Sequence, residues 1–521
     1  DDRKEWLGTY ERETFVDTSL PTIAYEDFIN KELIHFSKYD CERSIPNVMD
    51  GLKISLRKIL FAAFKKNLTS EIKVAQFTGY VSEHSGYHHG EASLNGAIVG
   101  MAQNFVGSNN INLFSPNGQF GTRLRGGKDS ASERYIYTLL SPITRKLFPN
   151  MDDSILKYLD DDGLPVEPTF YAPIIPMVIV NGTKGIGTGF STEVLCYNPT
   201  EIIEYIRDRL TTGQFETTRE FVPYYEGFNG QIAKLTDGKF IVRGRYAIVG
   251  DDKVRITELP VGMWTDDFKE YLEKLTDTTD KNGKKVTPLV KDYDDMSKDT
   301  TVDITITMTK GTVNAMNSKV LDPQTGCTEL EKTLKMYTTM STTNMHLFDA
   351  NDKLRKYAGP NDIIHDYFDT RMRLYVERKE FMVHQLEREL IVLSNKHKYI
   401  QGTLDGDIDL RRKKRNEINE MLKSKKFDML DDDTDYKYLT KMTMDSVTDE
   451  SVDKLSRQYN EKKCELETLK ETTTEQMWQR ELEELHAEYT KHREQLRLAN
   501  SGTDQNKKVT KKVIIKKKKA V

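Results

Sequence analysis

Cysteine is scarce. Four residues in 521, Cys41, Cys196, Cys327 and Cys464, stand far apart with no CxxC pair. That spacing argues against a disulfide framework or a zinc site and leads us to expect a reducing intracellular compartment. Long apolar runs are also missing, and none approaches the ~20 residues that span a bilayer. No signal peptide is visible, and the opening "DDRKEWL" has no Met, so it reads as a cut through something larger. A basic net charge is lacking too. The formal charge is −5, and because residues 507–521 carry eight Lys and no acid, the remainder holds 69 basic residues against 82 acidic ones. Any contact with nucleic acid must come from local basic clusters and not from the overall field.

What is present is length and charge. With 37% hydrophobic and 31% charged residues and a mean hydropathy of −0.63, the chain reads as soluble and rich in exposed helix. Its size implies three or more domains. In "DGLKISLRKILFAAFKK", Leu52, Leu56, Ile59, Leu60 and Ala63 recur at helical spacing, whereas Lys53, Arg57 and Lys58 face elsewhere, free to meet phosphates. Strands follow in "QIAKL", "KFIVRGRYAIV", "KVRITEL" and "TVDITITM", where Val302, Ile304, Ile306 and Met308 alternate with polar residues, within an α/β domain at about 176–345. From about 362 a heptad seam runs through Phe368, Met372, Tyr375, Lys379, Met382, Leu386, Glu389 and Leu393. A second seam joins Val452, Leu455, Tyr459, Lys462, Leu466 and Leu469, and after a capping-box signal at Thr472-x-x-Glu475 a third joins Leu482, Leu485 and Tyr489. An antiparallel coiled coil with a small helical cap at its tip is the economical layout. Ordinary core packing in a bundle is the alternative.

Three segments carry candidate chemistry. "SEHSGYHHGEASL" holds His84, His88 and His89 in a turn ahead of a helix, suited to proton transfer or phosphate contact and, without acidic or Cys partners at suitable spacing, not to zinc. "GQFGTRLRGGKDS" combines Gly118, Gly121, Gly126 and Gly127, which allow close backbone approach, with Arg123, Arg125 and Lys128, a composition that suits a polyanion. It leads to Arg134 and Tyr135. A tyrosine hydroxyl, with a reference pKa near 10, needs a base or a positive charge to act as a nucleophile, and Arg134 supplies charge and bidentate phosphate geometry; a half-buried aromatic is the plainer reading. "MVIVNGTKGIGTGF" reads as an apolar strand entering a glycine cluster that satisfies neither GxGxxG nor GxxxxGK[ST]. Ile186 within it is either a buried anchor or a wedge between base pairs.

Taken together, "ERSIPNVMDGLK", "SGYHHGE", "AQNFVGSNNINLFSPNGQFGTRLRGGKDSASERYIYTLLSP" and "IIPMVIVNGTKGIGTGF" resemble the breakage-reunion region of type IIA DNA topoisomerases, in wording closer to eukaryotic topoisomerase II than to the bacterial gyrase A subunit. The resemblance runs in order from about residue 1 to residue 495. It implies an α+β multidomain fold: the end of a TOPRIM domain at 1–35, a winged-helix domain at 36–175, a tower domain at 176–345, coiled coil and C-gate at 346–496, and a basic disordered tail at 497–521. It implies a homodimer, joined through winged-helix and C-gate interfaces, that cuts both strands of one DNA duplex, passes another through and reseals. By the same resemblance Tyr135 is the nucleophile of a 5′-phosphotyrosyl link and Arg134 binds the scissile phosphate. His89 assists at the reacting oxygens, and Arg43 and Lys53 are further basic residues at the cleavage site. Arg57, Lys58, His88, Arg123, Arg125 and Lys128 complete the expected DNA contacts, and Ile186 intercalates.

Glu133 stands where the family loop often has Pro and puts an acid near the phosphate. The family's Mg²⁺-binding acids belong to the TOPRIM domain and its ATP to a further ATPase domain, fused or separate; neither is found in these 521 residues, so the chain alone is expected to bind and bend DNA but to cleave poorly or not at all. A nuclear or other DNA-containing compartment follows. Two other readings stand beside this one. A tyrosine recombinase or type IB topoisomerase needs its Tyr near the C-terminus, and an architectural coiled-coil protein leaves the Gly/Arg loop before Arg134 without a purpose.

Overall fold

Leu52–Ala63 spacing does produce a helix. In the computed structural model, which describes residues 2–11, 13–277, 287–411, 413–430, 433, 435–442 and 448–500, it runs Ile54–Lys65 and buries Ile59, Leu60, Phe61, Ala62 and Ala63. The basic tail at 507–521 lies outside the described residues. Those residues form two compact units, divided at 150/151, 155/156, 370/371 and 480/481.

In the first unit, Ile54–Lys65 packs with the helices Val74–Ser85 and Glu91–Ala102 on a small antiparallel sheet, ordered Ile72–Lys73, Tyr137–Leu140, Phe114–Asn117. Three helices on three strands make the winged-helix arrangement. Phe77 and Phe114 meet at its centre with ring centroids 5.8 Å apart, and each such fully buried ring contributes roughly 1.5–3 kcal/mol. A hairpin, Tyr158–Asp161 with Leu164–Pro168, follows. Ahead of these elements a helix runs Ile34–Ser44. Against it lies the hairpin Thr183–Gly187 with Phe190–Val194. A Cβ on Gly185 would stand 1.9 Å from the Ser44 carbonyl oxygen, so only glycine allows this approach. The apolar run before the hairpin is not the expected strand: Met177–Asn181 is a short buried helix.

Alternation at 302–308 is realised as a strand, Ile304–Met308, in a four-stranded antiparallel sheet ordered Arg245–Ile248, Lys253–Glu258, Ile304–Met308, Val290–Asp295. Val302, Ile304, Ile306 and Met308 are buried with Phe268 and Leu272 of the helix Thr265–Thr276. A one-residue slip would turn that whole set to solvent, which pins the register. "KFIVRGRYAIV" is not one strand but two, because Lys239–Arg243 joins a second sheet with Gln231–Thr236 and Tyr337–Ser341. Gly244 is the break, and a Cβ there would stand 2.4 Å from the Glu258 carbonyl oxygen.

The second unit is built on residues 371–404 of the 45-residue helix Pro360–Leu404, a helix about 68 Å long at 1.5 Å per residue. Asp449–Glu471 runs antiparallel to it. Lys470 pairs with Glu387 at 2.7 Å and Lys462 with Glu389 at 3.3 Å, so positions descend on one helix as they rise on the other, and past the end of the second helix Trp478 stacks on Tyr375 at 5.2 Å. Exposed pairs of this kind contribute at most about 1 kcal/mol each, and the apolar seam carries the packing. At the tip, Tyr399 and Ile400 share a core with Leu422, Phe427, Tyr436 and Leu439. Lys379 sits in the seam and donates to the carbonyls of Lys470 and Thr472, at 3.1 and 2.7 Å, where the second helix stops.

Phe368, at the head of the first seam, packs with Phe215 and Arg209. Two seam expectations shift. The capping box lies one residue later than expected, with the Thr473 hydroxyl accepting from the Gln476 amide and the Gln476 side chain accepting from the Thr473 amide. Leu482, Leu485 and Tyr489, on the helix Thr474–Asn500, are buried within the first unit, where Glu484 pairs with Lys146 and Tyr489 donates to Glu226. Heptad spacing there is ordinary core packing.

Candidate functional site

The loop before Tyr135 is tied to itself. Thr122 donates through its amide and its hydroxyl to Asp129, at 2.9 and 2.6 Å, the Gly127 amide returns to the Thr122 carbonyl, and Gln103 bonds the Phe120 carbonyl. Gly121 has φ +97°, and a Cβ on it would stand 2.5 Å from the Gly127 carbonyl oxygen. The loop then meets the start of the helix Val74–Ser85: the Val74 amide donates to Ile136 and the Ala75 amide to Glu133. Ile136 is buried, while Arg134 is exposed and Tyr135 is 73% exposed. Tyr135 is therefore not a packed aromatic. A buried isoleucine anchors the backbone, and the hydroxyl and the guanidinium beside it face outward, where a phosphate can reach both.

The second cluster forms after the other end of that helix. Gly86 caps it in the left-handed region, φ +58°, with a Cβ position only 2.0 Å from Asp161 Oδ2. The histidine turn follows. His89 Nε2 lies 2.7 Å from Tyr39 Oη, and its ring meets Tyr87 edge-on at 5.4 Å. Burial, with Arg43, His88 and Lys58 nearby, holds the His89 imidazole below its usual range, so it is neutral at pH 7. Arg43 is exposed and stands over the Tyr39 ring at 5.8 Å. Lys58 donates to the Ser85 carbonyl and pairs with Glu167 at 2.8 Å, and exposed His88 lies 3.6 Å from Asp161. Together these residues line a cleft of about 380 Å³.

Lys53 holds the hairpin of Ile186. Its ammonium donates to the Lys184 carbonyl at 2.8 Å, and burial lowers its pKa. The hairpin turn is held by Asp40, which accepts from the amide and hydroxyl of Thr188 at 2.8 and 2.9 Å. On this fixed mount Ile186 is 78% exposed. It is not a buried anchor. Arg43, Lys58, His88 and His89 are thus brought together, with Lys53 beside Ile186. Tyr135 and Arg134 stand apart, at the opposite end of a twelve-residue helix that is about 18 Å long.

Several expected DNA contacts are elsewhere. Arg57 is buried, not solvent-facing: it grips Asp50 with two bonds of 2.7 and 3.1 Å and also bonds the Leu52 carbonyl. Asp50 is fully buried and needs that charge. Arg123 is likewise buried in an ion pair with Glu258. Lys58 is mostly covered by its pairing with Glu167. Arg125 stays exposed while pairing with Asp266 at 2.8 Å, and Lys128 is exposed. The sequence reading missed Tyr39, Tyr87, Asp161 and Glu167. Only Tyr39 left a local signal, one helical turn before Arg43.

Residues 43–483 match the family of DNA gyrase/topoisomerase IV A subunits, and residues 1–41 match the C-terminal associated domain of TOPRIM. The chain is similar to DNA topoisomerase 2 of Arabidopsis thaliana, 42% identical over 94% of this chain and 35% of that protein. DNA topoisomerase 2 of Plasmodium falciparum is 38% identical over 98% of this chain and 38% of its own length. The chain thus spans about a third of the length of these curated relatives. The crystal structure of the Plasmodium falciparum topoisomerase II DNA-binding, cleavage and re-ligation domain is similar with a TM-score of 0.86 and 39% identity, over 96% of this chain and 69% of that one. A family match across 441 consecutive residues and a shared fold over nearly the whole chain lead to one conclusion: the chain belongs to the type IIA DNA topoisomerase family.

Proposed function

We propose that this chain is the DNA-binding and cleavage core of a type II DNA topoisomerase. Tyr135 Oη attacks a backbone phosphorus of duplex DNA, forming a 5′-phosphotyrosyl ester and releasing a 3′-hydroxyl. Arg134 neutralises the non-bridging oxygens as charge builds on them. His89, kept neutral by burial and the basic side chains around it, donates a hydrogen bond to the phosphate, with Arg43 and Lys53 beside it, and Ile186 opens a base step and bends the duplex. One ester replaces another, so resealing is the same step reversed and needs no fuel, only that the broken ends stay in place. Passage of a second duplex through the gap then changes DNA topology.

The observation that carries this reading is the separation of the two clusters by one rigid helix. A single chain does not bring Tyr135 and His89 to one phosphate, so each site takes Arg134 and Tyr135 from one copy and Arg43, Lys53 and His89 from a second. The chain therefore works as a homodimer. Winged-helix, tower, coiled-coil and C-gate domains with the boundaries expected above belong to the same proposal. Among the described residues no group of three or more His, Cys, Asp or Glu side chains is placed to hold a metal ion. No step here runs through Mg²⁺; we assign Mg²⁺ and ATP to other parts of a longer protein. The setting is inside the cell, with DNA; among the described residues no helix is long and apolar enough to cross a membrane.

Mixed dimers test this reading. In the longer enzyme carrying this chain, a heterodimer of a Tyr135→Phe copy and a His89→Ala copy retains one intact shared site and nicks one strand. If both residues served within one copy, neither site would be intact and no nick would appear. Full cleavage by a Tyr135→Phe homodimer, with no protein attached to DNA 5′ ends, would overturn the chemistry itself.

A further inference from the structure

The helix Ile34–Ser44 carries Tyr39 and Arg43 on one face, one turn apart. Tyr39 touches two of the residues assigned to the phosphate: its hydroxyl is 2.7 Å from His89 Nε2, and its ring lies under the Arg43 guanidinium at 5.8 Å. Tyr87 meets the imidazole edge-on at 5.4 Å. We infer that Tyr39 is a positioning residue, whose phenol fixes the orientation and tautomer of His89 and whose ring seats Arg43, so that both side chains address one phosphate. This rests on the role proposed above for His89.

The surroundings decide which proton goes where. Arg43 on the same helix as Tyr39, Lys58 on the helix Ile54–Lys65, His88 and Tyr87 on the turn itself, and Asp160, Asp161 and Glu167 on the hairpin Tyr158–Pro168 all line the same cleft. Glu167 is engaged by Lys58 at 2.8 Å, and Asp161 faces His88 at 3.6 Å. Burial, with Arg43, His88 and Lys58 nearby, disfavours the imidazolium. A neutral ring that accepts the phenol proton at Nε2 carries its own proton on Nδ1, and Nδ1–H is then the donor presented to a phosphate oxygen. Removing the phenol takes away the hydrogen bond that holds the ring proton on Nδ1, and the neutral ring is then free to carry it on Nε2.

Two measurements on defined proteins test this. Nitrogen-15 NMR of the histidine rings in the full 521-residue chain, with His89→Gln used to assign the signal, reads which ring nitrogen of His89 carries the proton. Tyr39→Phe is expected to move that proton from Nδ1 toward Nε2 while leaving the His346 signal in place. An unchanged His89 tautomer overturns the inference. In the longer enzyme, Tyr39→Phe is expected to lower the covalent DNA–protein complex several-fold at pH 7, and to lower it no further when His89→Gln is already present. A further loss in that background means that Tyr39 acts elsewhere and also overturns the inference. If His89→Gln cleaves at the full rate, the proposed role of His89 fails and this inference falls with it; an unmoved tautomer alongside an impaired His89→Gln enzyme overturns the inference alone.

Discussion

Arg57→Ala separates two physical roles for one residue. On helical spacing alone Arg57 is a phosphate contact; in the fold it is buried and neutralises Asp50 through bonds of 2.7 and 3.1 Å. Removing one partner of a buried ion pair costs about 3–5 kcal/mol, mostly as the penalty of the charge left behind. Asp50 would keep two other donors, the amides of Leu52 at 3.0 Å and Tyr171 at 2.9 Å, which places the loss at the lower end, about 3 kcal/mol. At about 2 °C per kcal/mol, the figure for a large domain, the thermal transition falls by about 6 °C. Asp50→Asn combined with Arg57→Met should regain much of that, because no unpaired charge remains. Calorimetry on the three variants provides the stability. DNA affinity across a salt series provides the slope, which falls by about 0.9 for each phosphate that the protein no longer neutralises. A slope reduced by that amount with an unmoved thermal transition would refute the reasoning.

Acid should loosen the first unit: burial holds His346, His365 and His492 below their usual range, so the unfolded chain takes up protons first as the pH falls through about 6.5, and Tm should rise from pH 5 to pH 7 and climb less steeply in His492→Gln; a flat profile contradicts this. Ile186→Ala should weaken DNA bending, read by fluorescence energy transfer across a duplex, with dimerisation intact. Gly185→Ala should do the same from beneath, since its methyl collides with the Ser44 carbonyl at 1.9 Å; unchanged bending in both would remove the wedge. Trp478→Ala should cost about 3–5 kcal/mol in the second unit, because a fully buried indole stacked on Tyr375 is removed, seen as an earlier loss of helical circular dichroism.

What could be read from the sequence was local. Spacing of 3.5 residues is a property of neighbouring turns, so the seam from Met372 to Leu393 was legible, as was the alternation from Val302 to Met308. Whether a basic side chain meets solvent or a carboxylate depends on distant chain segments. Arg123 is covered by Glu258 and Lys58 by Glu167, partners that no local window contains. Gly244 looked like a strand interior because the competing contact, the Glu258 carbonyl, comes from another strand. Tyr135 and Ile186 were both weighed against burial, and their exposure followed from what holds the backbone beneath them, Ile136 in one case and the Asp40–Thr188 contact in the other.

Lys379 has a consequence beyond finishing a helix. Its ammonium is a charged group in a seam otherwise lined by Met372, Tyr375, Met382 and Leu386 up to Glu389, and it finds its acceptors only where the facing helix breaks, at Lys470 and Thr472. Sliding the two helices by one heptad, about 10 Å, would keep apolar residues opposite apolar residues but strand the ammonium against closed backbone. A single lysine thus turns a repeating surface, which has many nearly equivalent alignments, into one with a single zero on its scale.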